Sequence, residues 1–160
     1  MEDVPDGHYT SLSFIIGLDE SDNVTGGLSN TIAINNMEWP VSMGGGYHYM
    51  KLEGKYADTT SSTGEASYNF HTGALEANGT KNHHHVAVVV DEYVDFEVAD
   101  DKNFEVHMVM NINEWFANPN TWDFKYYGAA IMGNEEAQTK IMQNGANVMK
   151  VHHIGEIHEH

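Results

Sequence analysis

The chain has 160 residues, enough for one domain and too few for two ordinary ones, and at 41% hydrophobic it can build a core rather than a disordered tract. It carries 24 acidic residues against 7 basic ones, none of them arginine, for a formal net charge of -17. Neutralising phosphate needs Lys and Arg, so nucleic acid and an anionic membrane surface are excluded as partners, and no stretch is long and apolar enough to span a bilayer.

The absence of cysteine removes disulfides, thiolate zinc sites, iron–sulfur clusters and thiol catalysis together. Histidine is over-used, with 11 copies, and is joined by 9 methionines. Imidazole suits Cu, Zn and Ni, and thioether suits Cu(I), although methionine also fills cores. Met1 is followed at once by Glu2-Asp3-Val4-Pro5-Asp6, with no basic and apolar leader, so an exported protein would be present here in trimmed form.

Residues 9–16 alternate and read as a strand. Gly17 to Asn30 reads as a long polar loop. Tyr47 to Tyr56 alternates, with Tyr47, Tyr49, Lys51 and Glu53 on one face and His48, Met50 and Leu52 on the other. Residues 57–65 are a turn region, and Ala66 to His71 returns as the second strand of a hairpin. Asn78-Gly79 signals another turn. His83 to Val90 ends in a continuous apolar run and reads as a central strand, with Tyr93–Val98 and Phe104–Ile112 as further strands. Asn113 to Phe116 looks like a helical turn. Asn134 can cap a helix from Glu135 that stops at Gly145. These patterns predict an all-β fold, an antiparallel β-sandwich with one short C-terminal helix, over residues 1–150, and a His-rich polar tail over 151–160.

Several segments occur in a recognisable order. Pro5-Asp6-Gly7-His8-Tyr9 leads into Ser13 to Asp19. Then come Asn36-Met37-Glu38-Trp39-Pro40, Gly46-Tyr47-His48-Tyr49-Met50-Lys51-Leu52-Glu53-Gly54 and Asn69-Phe70-His71-Thr72-Gly73. This order resembles the MbnP-like family of copper-binding proteins, and the stretch from Trp122 to Val148 extends the resemblance over most of the chain. The resemblance implies an exported, periplasmic or extracellular protein, copper as the ion, and His71 of the His-x-Gly element as a ligand. It also implies a di-haem peroxidase partner that oxidises the tryptophan of an upstream Trp-x-His pair. No Trp-x-His occurs in this sequence, so that oxidation does not carry over.

The residues themselves add candidates. His48, on the strand beside His71, is the candidate second ligand; a histidine packed in a β face with one hydrogen bond is the competing reading. His83 and His85 share a face at a two-residue offset and can chelate, while His84 points away; a polar edge or loop is the competing reading. His152-His153 and the His158-x-His160 pair can bind metal opportunistically, with a disordered polar tail as the better account. Asp19 and Asp22 offer the oxygen ligands Ca²⁺ takes, without EF-hand spacing, and a solvated loop is the better account. No Gly-x-Ser-x-Gly, phosphate loop or His-Glu-x-x-His occurs, so the protein is expected not to be an enzyme. The expected function is a periplasmic or extracellular metal carrier or sequestering protein. The rival is a structural protein that self-assembles into a homo-oligomer through unpaired sheet edges.

Overall fold

The computed structural model describes residues 4–99 and 103–157. In chain order the strands are β1 (Gly7–Tyr9), β2 (Leu12–Ile16), β3 (His48–Ala57), β4 (Glu65–Gly73), β5 (Leu75–Ala77), β6 (Thr80–Asn82), β7 (Val86–Val90), β8 (Phe96–Val98), β9 (Asn103–Met110) and β10 (Met149–Ile157). The helices are α1 (Ile32–Asn35), α2 (Phe124–Tyr127) and α3 (Glu135–Gly145), with 3₁₀ turns at Val41–Met43 and Ile112–Phe116. The strands pair antiparallel as β1 with β8, β2 with β7, β3 with β4, β5 with β6 and β9 with β10. The fold is the expected all-β sandwich with its C-terminal helix.

Alternation explains the layering. Val86, Val88 and Val90 of β7 are buried, and Leu12, Phe14 and Ile16 of β2 pack on the same core. Phe70, Trp115, Trp122, Ile131 and Ile141 fill the space between strands and α3. Asn134 caps α3 by accepting from the Ala137 N–H, and Glu135 and Glu136 occupy its first turn, where the helix dipole favours them. Gly145 stays in the helix instead of ending it in a left-handed turn. A Cβ there would lie 2.6 Å from Val86 and 2.7 Å from Trp115, so glycine is required by close packing.

Several expectations are corrected. Residues 9–16 are two strands broken at Thr10-Ser11, each with a different partner. β7 begins at Val86, leaving His83–His85 in the connection from β6, and its outer face is open, with Val89 64% exposed. Tyr93 takes a left-handed φ of 63°, which delays β8 to Phe96. Ile112 leaves β9 for the 3₁₀ turn. Met149–Ile157, predicted to pass into a polar tail at residue 151, is instead the full partner of β9, with Val151 buried against the core. His158 and His160 lie outside the described residues.

Asn144, completely buried on α3, closes the helix onto the Trp115–Asn120 segment. Its amide donates to the Trp115 and Asn120 carbonyls at 2.9 and 2.8 Å, and its oxygen accepts from the Asn120 N–H at 2.9 Å. Asn144→Ala strands these buried groups and is expected to lower stability by about 2–3 kcal/mol, read from urea unfolding midpoints at constant m-value.

Candidate metal centre

The β3–β4 hairpin places two histidines on one face by means of an irregularity. Lys51 lies opposite His71 and Glu53 opposite Asn69, while His48 lies opposite Gly73 and Met50 opposite Thr72. Tyr49 is therefore an extra residue, a β-bulge, and bulges re-aim side chains. His71 and Gly73 share a face of β4, so His48 joins the face of Lys51 and Glu53. Plain alternation had put His48 with Met50 and Leu52; that expectation is overturned, and those two residues pack on the core without it.

The bulge brings the His48 and His71 rings to a centroid distance of 5.3 Å, nearly perpendicular at 84°. His48 is buried, and its Nδ1 lies 3.1 Å from the Met37 carbonyl, which also accepts the His48 backbone N–H at 2.6 Å. A carbonyl only accepts, so Nδ1 carries the proton and Nε2 carries the lone pair. That Nε2 is buried and has no hydrogen-bond partner among the described residues. Burial holds the His48 pKa below its ordinary value, the Met37 hydrogen bond opposes the shift, and His71 and Lys51 add to it.

His71 is fixed from both sides. Its Nε2 donates to Glu53 Oε1 at 2.6 Å, an arrangement that orients an imidazole and strengthens it as a ligand. Behind the strand, the fully buried Gln138 of α3 donates to the His71 carbonyl at 2.9 Å and accepts from the Gly73 N–H at 3.3 Å. Trp39 walls the pair, with its ring 4.8 Å from that of His48. A Cβ at residue 73 would lie 2.6 Å from the Trp39 ring, which gives the glycine of the His71-Thr72-Gly73 element its physical reason.

The remaining candidates fall elsewhere. The Tyr49 hydroxyl accepts from Asn23 Nδ2 at 3.0 Å and lies 3.2 Å from His83 Nδ1, while burial pushes the Tyr49 pKa up to about 12. His83, its own pKa lowered first by burial and then by Lys81, lines a cavity of about 390 Å³ with Glu20, Thr25 and Gly44. His84 is buried between the Gly73 carbonyl at 3.2 Å and Glu135 at 3.0 Å, a structural brace from the β6–β7 connection to α3. His85 has a buried Nδ1 without a hydrogen-bond partner among the described residues. One oxygen of Asp19 caps the turn at Ser21 and Asp22. Among the described residues no three His, Asp or Glu side chains are already gathered as a metal-holding group.

Sequence reasoning missed Trp39, Glu53 and Gln138. The two-residue spacing of Glu53 from Lys51 was a usable signal, since it sets Glu53 diagonally across from His71; the Trp39 contact comes from a loop and left none.

The family model of MbnP matches residues 1–143, which include every residue of this centre. The chain belongs to the MbnP family. No curated protein and no solved structure matches it. Among the described residues of this MbnP-family chain, no helix is long and apolar enough to cross a membrane.

The His48 ring is expected to titrate below 6.5 in a ¹H–¹³C NMR series, since burial is the leading cause of its shift. The unfolded chain then takes up this proton first, so the His48 contribution leaves stability intact above pH 6.5 and erodes it as pH falls toward the folded value. Gly73→Ala is expected to cost about 1–3 kcal/mol by displacing the Trp39 indole, with a red shift of tryptophan emission as the second readout.

Proposed function

We propose that this MbnP-family domain is a periplasmic or extracellular copper-binding protein, a carrier or sequestering protein and not an enzyme, that holds Cu(I) through His48 and His71. The observation that carries the reading is the buried His48 Nε2, unpartnered among the described residues, on a ring whose centroid lies 5.3 Å from that of His71. A buried lone pair without a hydrogen bond is costly, and a metal bond removes that cost.

The donor chemistry fits the ion. Both rings can ligate as neutral imidazoles, and the lowered pKa of His48 keeps a competing proton off it. Imidazole suits copper, and Cu(I), a d¹⁰ ion, accepts few ligands. Burial by Trp39 suits an ion of low charge that does not need a shell of water. Glu53 orients His71, and Gln138 sets the height of the strand end that carries it. When bound, copper supplies a soft cation for transfer or storage. The negative surface raises the local concentration of cations around the molecule.

The test is competition with a chromogenic Cu(I) chelator. The intact protein is expected to bind with submicromolar affinity, and His71→Ala and His48→Ala each to weaken it by about tenfold or more. Glu53→Gln is expected to give a smaller loss. Unchanged affinity in both histidine variants rejects the assignment and leaves self-association through sheet edges as the reading, measurable by light scattering.

A further inference from the structure

We propose a second metal site, for a borderline divalent ion such as Zn²⁺ or Cu²⁺, on the outer face of the β9–β10 ribbon, formed by His107, His153 and Glu105. It is separate from the His48–His71 pair: Glu105 and His107 lie on β9 and His153 on β10, a different antiparallel strand pair.

The register builds it. His153 lies directly opposite His107, and Gly155 lies directly opposite Glu105. Residues two apart share a face, so all four positions project from the same side of the ribbon. The other side carries Val106, Met108 and Ile154 against the core, so the histidine side faces water. The two rings have centroids 5.9 Å apart, tilted at 52°. Glu105 Oε1 contacts His107 Nε2. A Cβ at residue 155 would lie 2.7 Å from His153 Nε2, which places that nitrogen over the bare glycine, on the row that Glu105 completes across the ribbon. Glycine leaves open the room that a side chain would fill.

The bulge between Val151 and His153 decides this placement. Val151 opposite Met108 points into the core, and His152 is the extra residue that lets His153 meet His107. The three donors do not already form a cage, because Glu105 occupies the nitrogen of His107 that would ligate. Both side chains are about half exposed, 57% and 52%, so the hydrogen bond exchanges for metal bonds without disturbing the core. Two imidazoles and a carboxylate, with water in the fourth position, is a common donor set for Zn²⁺ and is also accepted by Cu²⁺. An open, hydrated face favours a divalent aqua ion, whereas the buried pair favours Cu(I).

Zn²⁺ is the probe, since it has no redox chemistry, and the full chain is titrated by competition with a chromophoric zinc chelator. The expected result is saturable binding that His107→Ala and His153→Ala each weaken by about tenfold or more, and that Glu105→Gln weakens to a lesser degree. His48→Ala, His71→Ala and a His158→Ala/His160→Ala double variant are expected to keep it. Since His107 and His153 are exposed, these variants should fold; circular dichroism checks this, and His107→Gln gives a second, milder substitution. Wild-type affinity in both the 107 and 153 variants, or loss of binding in the tail variant, overturns the proposal. So does an absence of saturable binding to the intact chain.

Discussion

One additional residue in β3 governs the direction in which His48 faces, and the candidate centre depends on it. Tyr49 is held in the bulge by contacts that a straight strand would not need. Its hydroxyl is bonded to the buried Asn23, whose oxygen also accepts from the Tyr47 N–H at 2.8 Å. Its ring lies so close to Gly17 that a Cβ there would be 2.7 Å away. On the other side, the Met37 carbonyl takes both N–H groups of His48. The polar segment after β2 therefore does more than connect strands: through Asn23 it holds the irregular backbone that turns the histidine.

Burial and order reinforce each other around the two rings. Trp39 can lie over the strand end only because residue 73 has no side chain, and the indole then excludes water from His48. Desolvation keeps the imidazole neutral, and the carbonyl bond selects which nitrogen bears hydrogen. A ligand position is thus prepared by backbone geometry, one missing methyl group and one aromatic wall, with charge playing a small part.

Much of the architecture was legible because it rests on short-range patterns. The β3–β4 hairpin, the Asn134 cap and the all-β class follow from alternation, turn residues and capping preference, which act over a few residues. The nearness of His48 to His71 was legible too, but on the wrong face, since a bulge has no period to betray it. The break at Thr10-Ser11 and the pairing of β10 depend on partners far along the chain. The histidines after residue 150 were read as tail because polarity hid the alternation of Val151 and Ile154 toward the core. Trp39 and Gln138 reach the centre from a loop and a helix, and contacts of that range leave no local mark.

Gln138 gives the fold a mechanical link between its helix and its hairpin. One amide side chain grips the backbone on both sides of Thr72, so α3 and the end of β4 share their fluctuations. Linkage is reciprocal in free energy: a ligand that stabilises the strand at His71 stabilises α3 against local opening, and a change that destabilises α3 weakens the hold on His71. The C-terminal helix is in this sense a latch on the hairpin: the strand end opens fully only when both Gln138 hydrogen bonds are given up.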